Sequence, residues 1–430
     1  MLKKIILFIG VCYFSNDVVS QTFDTLKLMT YNLMYYRETT SFCTNSNNNP
    51  TSKDGYMATI IDYTLPDILV VNELGGSNAA LNSFRLLSNS LNQNGRSNYS
   101  FANATSNSNL ANMIYFNSNK LGLKEQQTVT QDLNGGSLIR LIDIYTLYHI
   151  EPNLAQHQDT TFLHIVAAHL KAGSSNADAT ERHEACQSLM SFLAANNMDG
   201  NVFMLGDFNL YRSGEAAFQE LLNYSQAAYR FRDPINLPGN WGNSAYASFH
   251  TQSTRTSGSC FSTGGMDDRF DFILVSDEVM NQAQRVKYLS GSYTTVGQDG
   301  NRYNGSLISP TNNSAPSNVI NALYNMSDHL PVTIEVEVMG PTGLSLESSQ
   351  KELNVRFQNP TTGYLSIELS QAEILNTISI QDLSGKTVAK KAINNSTTVD
   401  FDLNHLSRGV YFINLQSKSG NQQVKKLIKI

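Results

Sequence analysis

The run Asp67–Leu74, DILVVNEL, holds four consecutive apolar residues and then Asn72 and Glu73. A half-exposed strand alternates apolar and polar residues, so an unbroken apolar run belongs to a strand covered on both faces. A chain built from such runs must therefore lay something on each side of a sheet. Similar runs recur in LKLMTYNL (Leu26–Leu33), ANMIYFN (Ala111–Asn117), IRLIDIYTLYHI (Ile139–Ile150) and TTFLHIVAAHLKAG (Thr160–Gly173). They continue in NVFMLGDFNL (Asn201–Leu210), DRFDFILVS (Asp268–Ser276) and LPVTIEVEV (Leu330–Val338). Between them, Met57–Leu65 reads as a helix ended by Pro66, and Asp178–Asn197 as an amphipathic helix capped by Asp178. Strand runs mixed with helical ones give an α/β body. Two stretches rich in Asn, Ser, Gly and Thr, Tyr36–Asp54 and Leu289–Asn321, break the rhythm and read as long loops.

Near Gly340-Pro341-Thr342-Gly343 the pattern changes to short strands between turns: YLSIELS, TISIQDL, TVAKKAI, TTVDFDL, GVYFINLQ and QVKKLIKI. These predict a small β-sandwich with no His–carboxylate cluster. At the other end, Lys3 and Lys4 precede the apolar run Ile5–Phe14, and Val18 and Ser20 place small residues before Gln21. That is the form of a signal peptide cleaved after Ser20, too short to span a membrane. The expected organisation is a signal peptide (1–20), a catalytic domain (21–340), a linker (341–350) and a C-terminal domain (351–430). Outside the signal lie Cys43, Cys186 and Cys260, which permit one disulfide of undetermined pairing and one free thiol.

The chain carries a net charge of −6; the tail from Thr342 has eight Lys, two Arg and seven acids, and the first twenty residues add +1, leaving −10 for the body. Such a body does not hold polyanions by bulk electrostatics, so phosphate chemistry on it needs local cations, above all a metal.

Polar residues gather where the apolar runs end: Asn32, Glu73, His169, Asp207, Asn209, Asp271, Asp328 and His329. Strand ends are where loops converge into sites, and a carboxylate closing a buried strand is costly without a partner. Glu73 and Asn32 offer hard oxygen ligands suited to Mg2+ or Mn2+, with Ca2+ as a candidate structural ion, and no Cys/His set has zinc spacing. A metal can polarise a phosphoryl oxygen, Asp207 can activate water, and Asn209 can donate hydrogen bonds to non-bridging oxygens. His169 and His329 can bond phosphate or shuttle protons, with Asp328 or Asp271 setting a tautomer.

These stretches resemble, in residues and order, the endonuclease/exonuclease/phosphatase superfamily, the fold of deoxyribonuclease I. The carrying motifs are MTYNL (Asn32), DILVVNEL (Glu73), AAHLKAG (His169), GDFN (Asp207, Asn209), RFDFILVS (Asp271) and SDHLPV (Asp328, His329). The resemblance implies a four-layer α/β/β/α sandwich. It implies that Asn32, Glu73 and Asp271 serve the metal, with Asp271 alternatively supporting a His. Asp207 and Asn209 would handle water and phosphate, His169 would contact phosphate, and Asp328 would pair with His329 as acid or base. Asn72 departs from the family's usual Gln, with little effect expected because a neighbouring strand residue points away. Having His169 at its strand end favours the deoxyribonuclease and phosphodiesterase branches over abasic-site repair. Arg182 and Gln187, on the helix after HLKAG, and His250 and Arg255 are candidate substrate contacts.

The tail resembles the C-terminal sorting domain of type IX secretion, through Asn359–Gly363, Asp382–Lys386, Leu406–Phe412 and Lys425–Ile430. The combined expectation is a secreted or cell-surface, monomeric, metal-dependent phosphoester hydrolase handled by that secretion machinery. Its first candidate substrate is nucleic acid, DNA and also RNA; a phospholipid headgroup or small phosphoester is the alternative, and a non-catalytic adhesin the remote one.

Overall fold

The computed structural model describes residues 23–151, 154, 160–340, 355–369, 375–383, 385–393, 396–417 and 422–430. The expected signal peptide and linker lie outside the described residues. In chain order the body runs β1 (Phe23–Tyr36), α1 (Pro50–Thr64), β2 (Ile68–Gly75), α2 (Ala79–Leu86), β3 (Tyr99–Phe101), β4 (Leu110–Asn117), β5 (Leu121–Gln131), β6 (Ser137–His149) and β7 (Phe162–His169). It continues with α3 (Asn176–Ala195), β8 (Val202–Asp207), α4 (Ala216–Asn223), β9 (Phe231–Arg232), β10 (Asp271–Ser276), α5 (Asp277–Asn281), β11 (Val286–Tyr288), β12 (Thr294–Thr295), α6 (Ser317–Met326) and β13 (Val332–Met339).

The strands form two sheets, ordered β11-β13-β1-β2-β4-β3, with β12 on β13, and β5-β6-β7-β8-β10-β9. β1 and β2 pair in parallel, as do β7 and β8. Parallel neighbours need a crossover, and α1 and α3 supply it.

Side-chain alternation sorts each strand of the second sheet between two apolar clusters. Ile165, Phe203, Leu205, Ile273 and Val275 face a core shared with the first sheet, while Val166, Met204, Phe272 and Leu274 face Cys186, Leu189 and Leu193 of α3 and Phe218 and Leu221 of α4. The first sheet is covered on its far side by α1 and α6, through Met57, Ile60, Ile61, Ile320 and Leu323. The result is the four-layer α/β/β/α sandwich, in which DILVVNEL is buried on both faces.

Three local expectations change. The stretch Tyr36–Asp54 is not all loop: Asn49 accepts from Ser52 N (2.9 Å) and Pro50 sits at the first turn, so α1 starts inside it. Leu289–Asn321 likewise contains β12 and the start of α6. The cap of α3 is Ser175 rather than Asp178; its hydroxyl accepts from Asp178 N while the Asp178 carboxylate accepts from Ser175 N, a reciprocal capping box. Cys43 and Cys260 form the disulfide, and Cys186 is a buried free thiol.

Chain contacts separate a unit of Ser20–Pro341 from one containing Thr342–Ile430. The latter is a small β-sandwich of β14 (Val355–Phe357), β15 (Tyr364–Leu369), β16 (Leu375–Gln381), β17 (Thr387–Ala392), β18 (Thr398–Asp402), β19 (Gly409–Ser417) and β20 (Gln422–Lys429). Its sheets are β14-β15-β18 and β17-β16-β19-β20. In β15, Leu365, Ile367 and Leu369 point into the core while Tyr364, Ser366 and Glu368 point to solvent, the period of two read from YLSIELS.

Candidate active site

Parallel strands end at the same edge of a sheet, and antiparallel neighbours begin there. β1 and β2 bring Asn32 and Glu73 to that edge of the first sheet, and β7 and β8 bring His169 and Asp207 to it from the second. β10 begins with Asp271 opposite Asp207, and the segment before β13 carries Asp328 and His329. Asn32 ties the sheets together: its Nδ2 donates to Glu73 Oε1 (3.1 Å) and Asp207 Oδ2 (3.0 Å), and its Oδ1 accepts from Met34 N (2.9 Å). Glu73 Oε2 accepts from Tyr35 N (3.1 Å). His169 Nε2 lies 3.4 Å from Asp207 Oδ2 and 3.8 Å from Glu73 Oε1.

Asn72 does not point away. The pairing register of β2 slips after Val71, and Glu73 adopts a left-handed φ of 56°, so strict alternation fails there. Asn72 reaches the second sheet, donating to Ala168 O (3.2 Å) and accepting from Asp207 N (3.1 Å), and within its own sheet it donates to Asn112 Oδ1 of β4 (2.8 Å). Gly206 makes room for this crossing: a Cβ there would lie 1.8 Å from Ala168 O.

The expected Asp328–His329 pair is replaced by a different one. His329 Nδ1 is 2.7 Å from Asp271 Oδ2, while Asp328 Oδ2 accepts from Ser262 N (2.9 Å). Adjacent residues on an extended segment point opposite ways, so Asp328 cannot face the ring beside it. Asp271 is thereby placed on His329 rather than within the metal-ligand group. His329 Nε2 lies 3.8 Å from Asp207 Oδ2 and 2.6 Å from Gln252 Nε2.

Burial dominates the electrostatics. It opposes charge on His329, but Asp271, Asp207 and Asp328 outweigh it and hold this imidazole well above its ordinary value. Burial, then Arg140 and His329, push His169 well below its ordinary value, so that ring is neutral. Burial pushes the Asp207 carboxyl up to about 7; Asp271 and Glu73 add to this, against His329 and Arg140. Glu73, His169 and Asp207 each present a ligand atom within 4.8 Å of the other two. Paired carboxylates beside a neutral imidazole form a donor set that fits a divalent cation, and a cation there offsets the mutual repulsion of these acids.

Asn209 orients Asp207 through its backbone N–H (3.1 Å to Oδ1), and its side-chain amide donates to Leu170 O (3.2 Å). Arg182 and His250, expected at the substrate, are both buried with partners of their own. Arg182 is buried against Glu215 (2.7 Å) and the carbonyls of Lys171 and Gly173. His250 is buried between the carbonyls of Trp241 (2.7 Å) and Met266 (3.3 Å). Packing against residues distant in the chain covers both positions. Gln187 is partly buried on α3, and Arg255 stacks on Phe261 and Tyr324. Sequence reasoning missed Gln252, for which no strand pattern gave a signal. It also missed Arg140, a cation inside the apolar strand run IRLID. Arg140 donates to Leu170 O and lines, with His169, a small recess of about 10 Å³ that is also lined by Asn112 and Asp143.

Comparisons with known proteins bear on the two units separately. Residues 357–430 match the family described as secretion system C-terminal sorting domain. No curated protein matches the chain in sequence. Among solved structures, it is similar to the human Nocturnin catalytic domain with bound sulfate (12% identity, 74% of this chain and 97% of that one, TM-score 0.47). It is also similar to an endonuclease/exonuclease/phosphatase from Beutenbergia cavernae (15%, 94% and 100%, 0.42). A third is a mannosyl-6-phosphatase from Bacteroides thetaiotaomicron (12%, 72% and 99%, 0.44).

Proposed function

We propose that this chain is a secreted, divalent-metal-dependent phosphoester hydrolase, acting first on nucleic-acid phosphodiesters. One observation carries the reading: Asp207 Oδ2 lies 3.4 Å from His169 Nε2 and 3.8 Å from His329 Nε2, and Asn32 Nδ2 bridges Asp207 to Glu73. Glu73 and Asp207 would hold Mg2+ or Mn2+, with His169 as a third donor, and the ion's chemistry is to polarise a phosphoryl oxygen. The chain's residues do the rest. Asn32 aims the Asp207 carboxylate, which accepts a proton from an attacking water. Asp271 fixes Nδ1 of His329, leaving Nε2, which meets Gln252 and lies 3.8 Å from Asp207, as the nitrogen that would exchange a proton with the phosphate or its leaving oxygen. Arg140, beside His169, supplies a fixed positive charge at the site's wall. The sorting-domain match supports export through the type IX route.

A specific observation favours a small phosphoester or phospholipid headgroup as the second reading. The body carries −10, and of the cations near His169, Lys171 is paired with Asp178 (2.6 Å) and Arg182 with Glu215. A long polyanion finds few free contacts there.

The test is to incubate purified protein with plasmid DNA, RNA, sphingomyelin or a generic phosphomonoester, with Mg2+ or with chelator. Plasmid nicking abolished by chelator supports the nuclease. Turnover of lipid or monoester with plasmid intact transfers the reading to the second substrate class, and no metal-dependent turnover of any of them overturns it.

A further inference from the structure

The two sides of the site belong to two loops far apart in sequence, and the disulfide joins them. On one side, the end of β1 carries Met34 and Tyr35, whose backbone N–H groups hold Asn32 Oδ1 and Glu73 Oε2. Both residues have left-handed backbone, with φ of 45° and 46°, a conformation a non-glycine chain does not hold unaided. On the other side, the loop from Gln252 to Gly265 touches the acid–base residues: Gln252 meets His329, and Ser262 N holds Asp328.

Cys43, in the loop after β1, is bonded to Cys260 in that second loop. Around it Met34, Cys43 and Phe261 form a small apolar cluster of their own, with Tyr35 and Cys260 against it. Asn47 Nδ2 donates to Ser259 Oγ (3.1 Å) beside the link, and Asn48 Nδ2 donates to Tyr35 O (3.0 Å). This cluster is separate from the main cores; Lys53 of α1 ties the first loop to the body by donating to Met34 O (2.6 Å), and Arg255 ties the second by stacking on Phe261 and Tyr324, but among these contacts the disulfide is the covalent link between the two loops.

We propose that the Cys43–Cys260 disulfide is a positioning clamp that completes the site, so that the enzyme becomes competent only once it is oxidised. The proposal rests on the catalytic reading above. In the activating step two thiols become one disulfide, giving up two protons and two electrons to a disulfide oxidant that leaves as two thiols. A chain kept reduced before export would carry its catalytic residues without a fixed Glu73–Asp328 geometry, sparing the producing cell. Closing a loop of this length also restricts the unfolded chain, so stability and positioning must be read separately.

The experiment uses the full chain as wild type, Cys43→Ser/Cys260→Ser and Cys186→Ser. It reads kcat/KM with Mg2+ on a chromogenic phosphodiester, and hydrogen exchange at the amides of Met34, Tyr35 and Ser262 and at those of β2 and β8. The clamp predicts that the double variant and reduced wild type lose about tenfold or more in kcat/KM. Exchange at the three loop amides rises about tenfold while β2 and β8 stay protected. Oxidised glutathione restores the reduced wild type but not the double variant, and Cys186→Ser behaves as wild type. Unchanged loop exchange and unchanged kcat/KM overturn the proposal, as does loss of protection throughout the body, which makes the bond a general staple. Reduced wild type, folded beforehand, gives the same readings should the double variant fail to accumulate. If oxidised wild type turns over no phosphoester, the catalytic reading fails, and the loop amides alone then decide the clamp.

Discussion

At the level of single side chains, Glu73, joined to Asp207 through Asn32, and His329, beside Asp207, are proposed to serve different chemistry. Glu73→Ala and His329→Ala are each expected to lower kcat/KM by at least about two orders of magnitude, as for loss of an electrostatic or proton-transfer group. Thermal melting should show both variants folded; near-wild-type turnover in either removes the role assigned to it. Asp143 makes a separate prediction. It is buried, two threonine hydroxyls (Thr105 and Thr128) donate to its Oδ1, and Oδ2 has no partner among the described residues. Burial raises this carboxyl to about 6, against the pull of those hydroxyls. The folded chain thus holds a proton that the unfolded chain releases near its ordinary value of 3.8. Stability falls as pH rises through that window and stays lower above it. Asp143→Asn removes this drop, so between pH 4 and 7 the variant should gain on the order of 2 kcal/mol over wild type. Parallel pH profiles in urea unfolding count against it.

Among the elements, the bulge in β2 has the largest consequence. A regular strand would send Glu73 and Asn72 to opposite faces; the left-handed Glu73 lets both reach the second sheet. Asn72 Oδ1 then accepts from Asp207 N while its Nδ2 donates to Ala168 O, so one side chain ties the first sheet to the β7–β8 pair. Asn72→Ala removes these buried hydrogen bonds, including the one to Asn112 Oδ1, and should cost about 1–3 kcal/mol. The accompanying loss of kcat/KM, from a loosened Asp207, should exceed any change in KM. Urea unfolding and steady-state kinetics check both; an unchanged midpoint shows that the crossing contact carries no weight. The capping box of α3 is the opposite kind of feature, a local one made by Ser175 and Asp178 three residues apart, although the sequence alone pointed to Asp178 as the cap.

For the molecule as a whole, body and tail have separate cores and opposite charge, −10 against +3. A fragment spanning residues 20–341 should therefore fold and keep kcat/KM within about twofold of the longer chain, because every residue of the candidate site has its partners inside the body. Circular dichroism and turnover of the fragment test this; failure to fold would make the tail a folding partner as well as a sorting domain.

The local pattern already contained β1, β2, β4, β6, β7, β8, β10 and β13, because burial on one face or two leaves a period along the chain, but not the half-exposed β5 or the short β3, β9, β11 and β12. It also contained the tail's alternating strands, and which polar residues end which strands, since an unexplained carboxylate closing an apolar run is visible without coordinates. Partnership was not visible. That His329 bonds Asp271 rather than its neighbour Asp328, that Arg182 and His250 are covered, and that Cys43 meets Cys260 all depend on which strand lies beside which. Those choices arise from sheet order and from one bulge in β2, and contacts between residues dozens to hundreds of positions apart leave no period in the chain. Residue chemistry and spacing set the inventory of the site; the packing of two sheets face to face decided who faces whom.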